Sequence, residues 1–231
     1  MTTIPRLEAV LFDMDGVIID SEPLWTEAER RFLARRMLEY SPQLKTVMMG
    51  RDAKEAVRLL IDYYSLSESV EEVTAERIQL VTELFKEHLQ PVPNVLQLLR
   101  SLKEKGIRTG MATSSPEQLV RLAVDKLGIA GLFDLIMSGD QVEQGKPAPD
   151  IYLAAAKKIG VDPEHCLVIE DAPLGVAAAK AAGMSCLAIS TSADGAELTM
   201  ADKVVRDFEK VDLQLLQDLV QHRPQRSRRK Q

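Results

Sequence analysis

The stretch LEAVLFDMDGVIIDSEPLW, Leu7 to Trp25, couples two features that oppose each other. Ala9-Val10-Leu11-Phe12 is an unbroken apolar run, the pattern of a strand buried on both faces. It ends on two carboxylates, Asp13 and Asp15, with Gly16 directly after them. Buried carboxylates are costly unless a cation or hydrogen bonds compensate them. The strand therefore ends either in a solvated turn or where positive charge is meant to sit.

Beyond Ile107 the sequence alternates. IRTGMAT, FDLIMSG, CLVIED and MSCLAIS read as short strands, with DKVV as an edge strand. Between them, SPEQLVRLAVDKLG, APDIYLAAAKKIG and APLGVAAAKAAG read as helices that start near Ser, Pro or Asp and end in Gly. Strand-helix alternation with short connections implies a parallel sheet flanked by helices. With the opening strand added, the fold class is α/β, a doubly wound parallel sheet whose ligand binds beyond the carboxyl ends of the strands.

Residues of roughly 20 to 90 differ. EPLWTEAERRFLARRML, DAKEAVRLLIDYY and VEEVTAERIQLVTELFKEHL are amphipathic helical stretches with no strand pattern between them. The alternation resumes at PVPNVLQLLRSLKEKG, where two prolines mark a joint. The expected organisation is a core of residues 1–19 and 90–222, an inserted all-helical cap of residues 20–89 lying as a lid over the strand ends, and a basic, disordered tail of residues 223–231.

The composition narrows the function classes. The chain has 231 residues, of which 45% are hydrophobic and 28% charged, with a net charge of −6. That is enough to bury a substantial core, and the acidic balance argues against nucleic acid as a partner. No stretch approaches the length of a membrane span, and the N-terminus lacks a signal-peptide pattern. Cys166 and Cys186 each open an apolar run and read as buried thiols in a reducing compartment. The three histidines have no zinc spacing. A cytoplasmic location is expected.

The polar residues at the strand ends carry the chemistry. Asp13 and Asp15 come after the first strand; Thr113, Ser114 and Ser115 after IRTGMA; Lys146, in GKPAPD, after FDLIMSG; Glu170 and Asp171 after CLVI. In a parallel sheet these ends share one edge, so carboxylates, hydroxyls and one lysine converge. Hard oxygen donors with open positions suit Mg²⁺, which keeps waters and often shares its shell with phosphate.

Four motifs in order, FDMDGVIID, MATSS, GKPAPD and IEDAPLGVAAAKAAGM, make the chain resemble the haloacid dehalogenase superfamily in its phosphatase and phosphomutase branch. The resemblance covers everything before the basic tail and implies a Rossmann-like core with a helical cap. It implies that Asp13 is the nucleophile forming an aspartyl-phosphate, and that Asp15 protonates the leaving group and then deprotonates water. Gly16 permits the sharp exit that keeps both carboxylates at the edge. Thr113 and the backbone N–H of Ser114 bind the phosphoryl group, and Lys146 neutralises charge on it and on Asp13. The cofactor implied is Mg²⁺, held by the Asp13 carboxylate, the Asp15 carbonyl and Asp171, with Glu170 acting through a water or from behind.

Asp15 selects the reaction within the family. Its dehalogenases lack this second aspartate because a halide needs no proton, so phosphoryl transfer is favoured. Sugar phosphomutases of this type carry a lid arginine three residues after a glycine. In MMGRDAKEA that place, three after Gly50, is Ala53. Arg51 and Glu22 are candidate substrate contacts, Arg77 is a second basic lid candidate, and Trp25 is read as lid core. FDMDGVIIDSEPLW resembles phosphatases of sugar phosphates, and LEYSPQLKTVMMG resembles the lid of pseudouridine-5'-phosphatases. The expectation is hydrolysis of a small sugar or nucleoside phosphate monoester by a monomer, with a β-phosphoglucomutase-like mutase as the alternative.

Overall fold

The computed structural model describes residues 6–48, 53–191 and 195–222. Six strands form one parallel sheet: β1 (Ala9–Phe12), β2 (Arg108–Ala112), β3 (Leu135–Met137), β4 (Cys166–Glu170), β5 (Ser185–Ile189) and β6 (Lys203–Val205), in the order β3-β2-β1-β4-β5-β6. β1 sits centrally, with Phe12 opposite Met111 of β2 and Ile169 of β4. The order reverses on either side of β1, which is the switch point where an open α/β sheet binds its ligand.

The strand side chains explain the unbroken apolar run. Val10 and Phe12 belong to one buried cluster, while Ala9 and Leu11 belong to another. Alternate residues of β1 thus feed opposite faces of the sheet. On the first face lie α5 (Val95–Glu104), α6 (Glu117–Leu127) and α9 (Leu213–Gln221); on the second lie α7 (Asp150–Ile159) and α8 (Pro173–Ala181). α6 and α7 end in left-handed Gly128 and Gly160, as the sequence pattern implies. Cys166 and Cys186 are buried and unpaired on the second face. DKVV forms the edge strand β6. α9 lies beyond the elements expected from the pattern; its start is fixed by Asp212, whose side chain accepts from the Leu215 N–H at 2.9 Å.

Between β1 and α5 come α1 (Glu22–Ala34), α2 (Pro42–Met48), α3 (Ala53–Tyr64) and α4 (Val70–His88), with no strand among the described residues of that segment. α2 is the addition to the three helices expected, seven residues too short to show a periodic stripe. α4 opens on a capping box in which Ser69 and Glu72 exchange hydrogen bonds. The chain leaves and re-enters the sheet layer as a pair of adjacent segments: the Asp20 N–H donates to the Gln90 carbonyl and the Val92 N–H to the Ile18 carbonyl, both at 3.0 Å.

Candidate active site

The turn after β1 sets the geometry. Gly16 adopts φ +71°, and the Met14 carbonyl accepts from the N–H groups of Ile18 and Ile19 at 2.8 and 3.0 Å. A side chain at Gly16 would be strained in this left-handed conformation. The tight turn leaves Asp13 and Asp15 at the carboxyl edge of the sheet, and Thr191 Oγ1 ties it down by donating to the Gly16 carbonyl at 2.7 Å.

Lys146 reaches the same place from the loop before α7. Its Nζ lies 2.5 Å from Asp13 Oδ1 and 2.6 Å from Glu170 Oε1, and all three side chains are buried. The two carboxylates hold the ammonium charged against the cost of burial, which shifts its ionisation upward. Burial pushes Asp13 up to about 7 despite Lys146, helped by the neighbouring carboxylates of Glu170 and Asp15.

Glu170 is held on every side. Oε1 accepts from Lys146 and from the Tyr152 hydroxyl, each at 2.6 Å, and Oε2 accepts the N–H groups of Asp171 and Ala172 at 3.0 and 3.2 Å. Gly175, on α8, closes this pocket: a Cβ there would lie 1.8 Å from Glu170 Oε1. Tyr152 and Gly175 give no signal in the sequence, where a buried tyrosine and a helical glycine look like ordinary packing.

Asp15 points elsewhere. Its Oδ1 accepts from Ser21 Oγ at 2.6 Å and Trp25 Nε1 at 3.1 Å, and its Oδ2 from Ser115 Oγ at 2.6 Å. These roles of Ser21 and Ser115 are likewise invisible in the sequence, where a serine beside a turn reads as turn chemistry. Trp25, read as lid core, does pack edge-on against Phe85, 6.4 Å between centroids, but its indole N–H also serves the site. Thr113 Oγ1 accepts the Ser115 N–H at 3.1 Å, which shapes the loop that presents Ser114.

Asp13, Asp15, Thr113, Ser114, Lys146, Glu170 and Asp171 line one cavity of about 200 Å³, together with Glu22 and Arg77 from the inserted helices. Of the residues expected at the site, Arg51 lies outside the described residues. Asp13, Glu170 and Asp171 place carboxylate oxygens within 4.8 Å of one another, so this buried group could hold a metal ion. The Asp15 side chain is not in that group. Three acids facing one ammonium form a donor set short of positive charge, and all its atoms are hard oxygens, which fits a divalent cation of the Mg²⁺ type.

A family model described as haloacid dehalogenase-like hydrolase matches residues 7–183. The chain belongs to that family. It is 37% identical over 182 residues to a phosphorylated carbohydrates phosphatase of Thermotoga maritima, covering 77% of this chain and 82% of the relative. It is 38% identical over 205 residues to the mitochondrial (DL)-glycerol-3-phosphatase 1 of Arabidopsis thaliana, covering 85% and 68%. Among solved structures, a β-phosphoglucomutase from Clostridium difficile superposes with a TM-score of 0.82 at 25% identity, covering 93% of this chain and 97% of that one. The haloacid dehalogenase-like assignment agrees with the resemblance drawn from the four motifs, and it bears out the doubly wound core with inserted helices.

Proposed function

We propose that this protein is a Mg²⁺-dependent phosphatase that hydrolyses a small sugar or nucleoside phosphate monoester through an aspartyl-phosphate. One observation carries the reading: the ends of four parallel strands deliver a buried carboxylate, a hydroxyl loop, a buried ammonium and an acidic pair to one cavity. The phosphatase relatives support hydrolysis over the mutase alternative, as does Ala53 at the place of the mutase arginine.

In this reading an Asp13 carboxylate oxygen attacks phosphorus, a new O–P bond forms, and the bond to the substrate oxygen breaks. Asp15 gives that oxygen its proton. Asp15 then takes a proton from water, which attacks the same phosphorus; the bond to Asp13 breaks and inorganic phosphate leaves. Lys146 balances charge on Asp13 and the phosphoryl group throughout, and Glu170, fixed by its own hydrogen bonds, keeps Lys146 in place. Thr113 and the Ser114 N–H bind the phosphoryl oxygens. Asp13, Asp171 and the Asp15 carbonyl would hold Mg²⁺, with Glu170, whose oxygens already accept hydrogen bonds, behind them. The bound ion supplies positive charge to the phosphoryl oxygens.

The same reading divides the chain into a core of 1–19 and 90–222 and a cap of 20–89, supported by the paired crossing segments at Ile18–Asp20 and Gln90–Val92. Among the described residues no helix is long and apolar enough to cross a membrane. The two free, buried thiols support a cytoplasmic location, and a lid that opens and closes suits a monomer. Phosphate release with Mg²⁺ tests the whole reading. Wild type turns over p-nitrophenyl phosphate and sugar phosphates, and Asp13→Asn loses nearly all of it; equal rates for the two proteins would end the proposal.

A further inference from the structure

The cavity extends from the strand ends to a second polar site on the inserted helices. There Glu29 of α1 and Arg77 of α4 form an ion pair with 11% of each side chain exposed. Both Arg77 Nε and Nη2 donate to the same oxygen, Glu29 Oε2, at 3.1 and 2.9 Å. The other oxygen, Glu29 Oε1, is buried without a hydrogen-bond partner. So is the hydroxyl of Thr74, one turn before Arg77 on α4. Glu29, Thr74 and Arg77 all line the cavity that holds Asp13.

Buried polar atoms are nearly always partnered, so two orphans on side chains that line one cavity point to a ligand as the source of the missing bonds. An ionised carboxylate oxygen only accepts, so its partner must bring an O–H or N–H. A threonine hydroxyl accepts and donates. Phosphate oxygens only accept and carry negative charge, and they would oppose Glu29 Oε1. The cations lining the cavity among the described residues, Lys146 and Arg77, are each already paired with carboxylates.

We infer that Glu29, Thr74 and Arg77 form a hydroxyl-recognition site that selects polyhydroxylated monophosphates and rejects substrates with a second phosphate. The inference rests on the phosphatase reading and adds the substrate class to it. The apolar walls around Trp25 and Tyr40 suit the C–H faces of such a carbon chain, while its hydroxyls meet the three polar groups. A bisphosphate enters with a second charge that no unpaired cation among the described cavity-lining residues receives.

Matched probes test this: a pentitol 5-phosphate, n-pentyl phosphate, p-nitrophenyl phosphate and a hexose 1,6-bisphosphate. Wild type should prefer the pentitol phosphate to n-pentyl phosphate at least tenfold in kcat/KM. Glu29→Gln and Thr74→Val should each shrink that preference at least fivefold, mainly through KM. Glu29→Gln also releases the Arg77 charge, so the bisphosphate should inhibit it at least fivefold more strongly than wild type, which a purely structural role would not produce. Equal use of the two pentyl esters by wild type overturns the inference, as does tighter binding of the bisphosphate than of the pentitol phosphate. A preference unchanged in Thr74→Val overturns it also, whether or not Glu29→Gln folds. Failure to hydrolyse even p-nitrophenyl phosphate overturns the phosphatase reading and this inference together, whereas robust hydrolysis without hydroxyl preference overturns the inference alone.

Discussion

Gly175 illustrates how much one residue constrains the site. It lies on α8, away from the cavity wall, yet any side chain there would occupy the space of the Glu170 carboxylate. Glu170 cannot move without releasing Lys146, Tyr152 and two main-chain N–H groups. Gly175→Ala should therefore lower kcat on p-nitrophenyl phosphate by about a hundredfold, the scale of losing one aligned charge-stabilising group, while circular dichroism shows a folded chain. Asp15 makes a different prediction. If it protonates the leaving oxygen, Asp15→Ala should slow alkyl phosphates much more than p-nitrophenyl phosphate, whose leaving group needs little proton donation. Equal losses on both, measured as kcat/KM, would remove Asp15 from the acid role.

At the scale of elements, α1 and α4 are joined by polar as well as apolar contacts. Arg36, just beyond α1, lies 2.8 Å from Glu68 and 2.7 Å from Glu76, and its guanidinium sits 3.7 Å over the Phe32 ring. Arg35 adds a second contact to Glu76. The hydrogen bond from Arg36 holds the Glu76 carboxyl below its ordinary 4.5, against a smaller opposing effect of burial. A carboxylate depressed in the folded state stabilises it above the unfolded value, and that contribution disappears as pH falls through the folded value. With the pair partly exposed, Glu76→Gln should cost about 0.5–1 kcal/mol at neutral pH and progressively less at a second, acid pH. Urea unfolding of both proteins at the two pH values checks this, and a cost that persists in acid would show that packing, not charge, is at stake.

At the scale of the whole molecule, the inserted helices do not have a core of their own. Phe32, Leu60 and Phe85 belong to the same buried cluster as Ile18, Ile19 and the α5–α6 face of the sheet. Truncating Phe85 to alanine should cost about 3–5 kcal/mol and destabilise the chain as one cooperative unit, seen as a single shifted unfolding transition. The proposed cation should also be felt globally. A ligand at one hundred times its dissociation constant stabilises the native state by about 2.7 kcal/mol, and each kcal/mol raises Tm by about 2–4 °C in a chain of this size. Mg²⁺ should therefore raise Tm by several degrees in wild type and not in Asp171→Asn, independently of any turnover.

The sequence alone determined the sheet, its parallel direction and the residues that gather at its edge. Two-sided burial requires runs such as AVLF and CLVI, and helix ends require the glycines that close α6 and α7; both are local demands written into neighbouring residues. It also pointed to Asp13, Lys146 and the acidic pair, because strand-end placement follows from alternation. Only the tertiary structure decided that Glu170 serves Lys146, that Ser21, Trp25 and Ser115 hold Asp15, and that Glu29 and Arg77 meet across 48 residues of sequence. Those contacts join positions far apart in the chain through burial and hydrogen bonding, and no periodicity or spacing encodes which distant partner a buried polar group will find.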